Sequence, residues 1–423
     1  MDDLPIEVIG NVLSHLGAAR DVIIASATCR SWREAFRRHL HALSFNSDDW
    51  PVYRDLTPAR LEILITQTLF QTIGLQGLSI LMDDVDEFAG STVIAWLMYT
   101  RESLRWLFYN VRTTPNINIL ELCGRQKLEM LVLAHNTIIG VEPHYQRFPC
   151  LTSLSLSYVS ISAWDLNMLL SACPTIENLV LVNPEIAMSD TLVTVELYSP
   201  TLKSIYVESI SLDKFILEAD SLESLHLKFC ALELFELLGK GALKYLKIDD
   251  VSVIHLYIGE AVDNLEIIDV SNFTITWSTF FQMISGSSKL RRLRLWDVVF
   301  DEEDDILDLE TISDFFPNLK YLALNYELRD DLRDGVLHYD LQGSCPLDNV
   351  VTLELGWTVI NNLFTYWVSA LLKRCPNLRK LVIHGVISES KTQEECQMLA
   401  NFTSCIVQLM RKYIHVDVQF EYE

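Results

Sequence analysis

Arg292, Arg294 and Trp296 alternate along one short stretch, so on any strand they share a face. A guanidinium presents a planar fork of N–H donors that matches a carboxylate or phosphate, and an indole beside it adds a rigid platform. Lys228 and Lys247 fall on two neighbouring earlier stretches, with His226 and Tyr245 close by and Tyr206 and Tyr321 in others. The chemistry these residue types permit is recognition of an acidic peptide or a phosphate-bearing ligand. Solvated cations matched by Glu208, Asp249 and Asp269 are the competing reading. Bond-making chemistry finds no comparable set. There is no HExxH, no GxSxG and no phosphate-cradling glycine loop, since Gly239-Lys240-Gly241 lacks the spacing and the hydroxyl. The nine cysteines, at 29, 123, 150, 173, 230, 345, 375, 396 and 405, include no CxxC pair for zinc or redox work. We expect a non-catalytic chain with no metal and no cofactor, its thiols reduced and mostly buried.

Composition narrows the partners. Lysine and arginine number 33 against 57 aspartates and glutamates, a formal charge of −24, which argues against nucleic acid as ligand. Half of the residues are apolar, with few glycines and prolines, so we expect the chain to be folded throughout. No apolar run is long enough for a membrane span, and the start Met1-Asp2-Asp3 is acidic where a signal peptide is basic. The expectation is a soluble intracellular protein, cytoplasmic, nuclear or both, in which the sequons at Asn272 and Asn401 stay unmodified.

The elements that position the recognition residues repeat. Leu128-Glu129-Met130-Leu131-Val132-Leu133-Ala134-His135-Asn136 fits LxxLxLxxN, and Leu222 to Cys230 fits its cysteine version. Looser LxxLxL copies begin at Leu40, Leu75, Leu104, Leu151, Ile176, Leu192, Leu202, Leu243, Leu265, Leu290, Leu319, Val350 and Leu378, most of them 20 to 31 residues after the last. That is the leucine-rich-repeat period, one short strand and one returning segment per unit. Alternating side chains leave each unit with an apolar face that only a parallel neighbour covers, which predicts an α/β solenoid with strands on its concave face. Starts at 176, 192 and 202 are too close together, so one of these units is degenerate or hairpin-like. Helical returns are predicted over 161–170 and 363–372, each ending before Cys-Pro, and irregular returns between about 192 and 270. The third and fifth positions of the motif, and the one after it, should line the concave face. They include Trp106, Phe108, Ser153, Ser155, Ser157, Lys380 and His384 besides the residues above.

The first forty residues differ. Pro5 suits a first helical turn, and Ile9, Val12, Leu13 and Leu16 follow at the spacing of one helical face, with Gly17 as a stop. A second helix is predicted after Asp21 as cap and a third after Ser31, carrying Trp32 and Phe36. Three short helices bury too little surface to stand alone.

Leu4-Pro5-x-Glu7-Val8-Ile9, Leu16, Asp21 and Thr28-Cys29-Arg30-x-Trp32-Arg33 resemble the F-box, which docks a substrate receptor on the Skp-type adaptor of cullin-RING ubiquitin ligases. Joined to leucine-rich repeats, the chain resembles the plant F-box/LRR-repeat family over its whole length. The resemblance implies adaptor contacts from Leu4, Pro5, Val8, Ile9, Leu13 and Leu16, with Trp32 anchoring the motif's own core. It implies cullin and RING subunits reached through the adaptor, and the role of substrate-recognition subunit of an SCF-type ligase. A protein substrate would lie against Tyr206, His226, Lys228, Tyr245, Lys247, Arg292, Arg294, Trp296 and Tyr321. An LRR scaffold that delivers no substrate, and a small-molecule sensor, stay open beside it. Two plant hormone receptors of this architecture hold a small molecule and an inositol phosphate, but no matching basic ring is found here.

The domains expected are 1–45 for the helical F-box, 46–387 for the repeats and 388–423 for a capping helix and strand. The acidic stretch Asp301 to Glu310 and the long connection Asn325 to Asn349 are the candidate functional loops.

Overall fold

The computed structural model describes residues 4–123, 126–141, 148–187, 193–274, 277–299, 307–325, 339–340, 346–359, 362–386 and 393–422. The chain divides into two compact units, Met1–Asp220 and Ser221–Glu423.

The first unit opens with helices α1 (Ile6–Leu16), α2 (Ala19–Ser26) and α3 (Arg30–Arg38). Pro5 caps α1 by accepting from the Val8 and Ile9 amides, and Gly17 ends it at φ 72°, a left-handed conformation that glycine adopts without a Cβ clash. Asp21 and Ser31 do not cap their helices as expected. Ala18 and Cys29 stand at those positions, and neither helix has a side-chain cap bond. Phe36, not the partly exposed Trp32, fills the small helical core with Ile9, Leu13, Val22 and Ala35.

Strand Ala42–Asn46 follows at once, and parallel neighbours Gly77–Leu81, Trp106–Tyr109, Met130–Ala134, Ser153–Ser157, Asn178–Val182 and Ser204–Glu208 pair on it in turn. The register places Leu43, Leu78, Leu107, Leu131, Leu154, Leu179 and Ile205 in one row, all buried. Each such side chain contributes about 1.5–3 kcal/mol relative to exposure. This row is the physical content of the repeat. Between turns, helix Ala163–Ser171 starts where Ser162 Oγ accepts from the Asp165 amide, two residues later than the sequence pattern suggests. Asp165 also accepts from the Val141 amide at 2.8 Å, fastening the helix to the preceding turn.

The LxxLxL copy that begins at Leu192, itself outside the described residues, contributes a strand that does not join the leucine ladder. Thr194–Tyr198 lies in a second ladder, paired with Ser211–Glu218 so that Val195 meets Phe215 and Leu197 meets Leu217. It is a returning strand with a parallel partner, so the unit is not hairpin-like.

In the second unit Ser224–Leu238, Tyr245–Tyr257, Ile267–Thr274, Arg292–Val299, Tyr321–Leu324, Thr352–Val359, Lys380–Val386 and Asp417–Tyr422 form a parallel ladder. The first two strands are long because each passes through one residue of positive φ, Phe229 and Asp250 at 51°, and continues on the returning side. The irregular returns expected there are strands instead. A connector of some twenty residues is too short for a long helix, and pairing with the next turn satisfies its amides. Positive φ recurs after successive strands at His135, Tyr158, Asn183, Ser209, Phe229, Asp250 and Asn272. After His135 and Phe229 the next residue, the repeat asparagine or cysteine, closes the bend: Asn136 Nδ2 donates to the Ala134 carbonyl and Cys230 Sγ to that of Lys228.

Helix Asn362–Arg374 matches the expected return and ends before Cys375-Pro376. Helix Gln393–Lys412 and strand Asp417–Tyr422 close the unit. Residues 301–306 of the acidic stretch, 326–338 and 341–345 of the long connection, and 388–392 before the closing helix lie outside the described residues.

Candidate functional site

Two surfaces gather the residues singled out in the sequence. The first is on α1. Leu4, Val8, Val12 and Leu16 recur every four residues, the spacing of one inclined ridge on a helix, and all are exposed at 42–44%. Pro5 is exposed beside them. Ile9 and Leu13, expected in the same contact set, are buried at 1% and 0% against the other helices. They hold the package together and are not available to a partner, which corrects their assignment. Val12 completes the exposed row, and its four-residue spacing with Val8 and Leu16 was the signal for it.

The second surface is the outward face of the second unit's strands. Register sets Ser224, Tyr245, Ile267, Arg292, Tyr321, Thr352 and Lys380 in one row. The next row holds His226, Lys247, Asp269, Arg294, Ala323 and Glu354. Arg292 lies over the Tyr321 ring at 4.1 Å. Arg294 is engaged twice: Nη1 donates to Asp269 Oδ1 at 3.0 Å, and the guanidinium lies 4.6 Å from the Trp296 ring centre. Trp296 is only 6% exposed and meets His384 edge-on at 5.2 Å, so it is an internal wall of this cluster and not the exposed anchor expected. His384 faces Glu354 at 2.9 Å and Glu421 at 3.1 Å, and the Tyr321 hydroxyl donates to Glu354. Asp249 accepts from Ser271 at 2.8 Å.

The carboxylates of the face are thus largely engaged, and the matched-charge reading holds for Arg294 with Asp269. Arg292 forms no ion pair among the described residues. Lys228 lies 4.6 Å from the Phe229 ring, Tyr245 is exposed, and His226 stands opposite Lys247. Burial, and then the Lys247 ammonium, lower the pKa of His226, while Asp249 and Asp269 oppose the shift. Tyr206 belongs to the first unit, where its hydroxyl donates to Glu208 at 2.5 Å.

Residues 1–42 match the family described as F-box-like, and residues 107–236 match the LRR repeats of the family described as FBD-associated F-box protein At5g56370. F-box/LRR-repeat protein At1g67190 of Arabidopsis thaliana is 70% identical over 423 residues, covering 100% of both chains. F-box protein At1g10780 of the same plant is 25% identical over 201 residues, 43% of this chain and 44% of that protein. With helices α1 to α3 lying within the first match and the parallel leucine ladder spanning the second, the chain belongs to the plant F-box/LRR-repeat family.

Proposed function

We propose that this chain is the substrate-recognition subunit of an SCF-type ubiquitin ligase, non-catalytic itself. The ridge Leu4, Val8, Val12 and Leu16, with Pro5, docks on a Skp-type adaptor, which links the chain to cullin and RING subunits. The strand face of the second unit recruits a protein substrate through His226, Lys228, Tyr245, Lys247, Arg292 and Tyr321, with Arg294 and Trp296 bracing the cluster. The chemical contribution is positional: a captured substrate meets a ubiquitin-charged enzyme at raised effective concentration.

The observation that carries this reading is the exposed apolar ridge over a separately satisfied helical core, inside the segment that matches the F-box. Apolar side chains in a row gain by being covered, and the ones needed for folding are already buried beneath them. Co-purification with a plant Skp-type adaptor tests it. Wild type should yield a stoichiometric complex that Leu4→Ala/Pro5→Ala weakens and Val8→Asp/Val12→Asp abolishes. Folded wild type that retains no adaptor would defeat the proposal.

A further inference from the structure

The second position of each repeat, just after its first leucine, lies where the strands begin. Through much of the chain its charge alternates and neighbours pair. Arg105 bonds Glu129, Lys203 meets Glu177 at 2.8 Å, Lys244 meets Glu223 at 3.1 Å, and Arg291 meets Glu266 at 3.9 Å. Adjacent parallel strands lie about 4.8 Å apart, so a cation set beside a carboxylate in this way is neutralised by its own ladder.

The alternation stops at Arg291. The next turns put Lys320, Val351 and Arg379 at this position, held by backbone bonds from Lys320 N–H to Arg291 O at 2.8 Å, Val351 N–H to Lys320 O at 2.9 Å, and Arg379 N–H to Val351 O at 2.9 Å. Lys320 and Arg379 are exposed, and neither forms an ion pair among the described residues. Lys380 adds a further cation beside Arg379, while Asp348 is the carboxylate at the strand starts of these turns, with Glu266 and Asp417 on the flanking strands. In a chain of net charge −24, Lys320 and Arg379 are therefore cations with no carboxylate paired to them among the described residues.

We propose that the edge centred on Lys320 and Arg379, flanked by Arg291 and Lys380, docks an acidic segment of a partner polypeptide. Four strands span about 14 Å, the reach of four or five extended residues at about 3.3 Å each. Carboxylates on alternate residues of such a segment recur about every 6.6 Å, close enough for flexible lysine and arginine side chains to meet them. The backbone ladder fixes the cations' Cα positions before binding, so only side chains need ordering. A nucleic acid or an anionic membrane would extend beyond this edge onto the acidic remainder of the chain, where like charge opposes it. The inference stands apart from the adaptor ridge and adjoins the strand face, whose first row ends at Lys380.

Fluorescence anisotropy of a labelled peptide of alternating Glu and Ser, titrated with the full-length chain, tests it. Saturable binding that weakens as salt rises is expected, reduced about ten-fold in Lys320→Gln/Arg379→Gln and lost in Lys320→Glu/Arg379→Glu. Lys203→Gln, which removes a cation already paired in the ladder, should leave binding unchanged. All three variants alter exposed side chains, and unchanged thermal unfolding checks their folding. Absence of saturable binding, or equal binding by Lys320→Gln/Arg379→Gln, overturns the proposal. So does tighter binding of a single-stranded oligonucleotide or of phosphatidylserine vesicles at physiological salt.

Discussion

Gly77 and Trp106 face each other on adjacent parallel strands, and the Trp106 indole occupies the space that a side chain at position 77 would fill. Trp106 also lies 5.2 Å from Phe108, so two aromatics of the first unit's strand face are set by one absent Cβ. Gly77→Ala should force the indole off its rotamer or shift the strand, costing about 1–3 kcal/mol in denaturant unfolding. Adding Trp106→Ala should recover much of that loss. Strict additivity of the two changes would show that they do not share this space.

The two sides of α1 should separate folding from docking. Leu13 is fully buried, so Leu13→Ala should cost about 2–5 kcal/mol of stability, with any loss of adaptor following from unfolding. Val12 is exposed, so Val12→Ala should change stability by no more than about 0.5 kcal/mol yet weaken the adaptor complex. Equal destabilisation by both would mean that the ridge is part of the helical core. Unfolding curves and pull-down of the same preparations decide it.

The repeat was legible because buried side chains of parallel neighbours must recur in register, and the rows Leu43 to Ile205 and Leu225 to Leu381 follow from that periodicity. Helix α1 was legible as a stripe, but periodicity does not say which half of a stripe meets α3. The contact set that the F-box resemblance implies therefore joins the buried Ile9 and Leu13 to the exposed ridge and omits Val12. The strand at Thr194–Tyr198 misled for a related reason, since a returning strand buries alternate residues just as a repeat strand does. In the charged face, Glu354 sits between Leu353 and Leu355 at a readable outward position. Its meeting with Tyr321 and His384 depends on which strands become neighbours, and that is set by the intervening connections. Trp296 was placed on the correct strand, but its burial by Arg294 and His384 is a packing outcome no single stretch encodes.

Cys173 and Cys375 precede proline at the ends of corresponding helices, and burial pushes the pKa of each thiol up to about 12. Since the thiolate is the nucleophile, both should resist a maleimide at neutral pH in the folded chain. Cys150 and Cys396 are exposed and should be labelled rapidly. Mass spectrometry of tryptic peptides before and after denaturation distinguishes the two classes. Rapid labelling of Cys173 in native protein would mean that the end of helix Ala163–Ser171 opens readily.

His226 should make the second unit's stability sensitive to mild acid. Burial and the facing Lys247 lower its pKa in the folded chain, whereas the unfolded chain titrates near the ordinary histidine value of about 6.5. Below that value the unfolded state binds the proton more readily. Stability is therefore undiminished by this group above about pH 6.5 and is lost as pH falls from there toward the lower folded pKa. His226→Gln removes the titration, so its melting temperature should fall less than that of wild type between about pH 7.5 and 5.5. Lys247→Met removes the second cause, raises the pKa of His226 back toward its ordinary value and should give an intermediate slope. Parallel melting curves for all three proteins would show that His226 titrates alike in the folded and unfolded chains, and that its place opposite Lys247 has no electrostatic consequence.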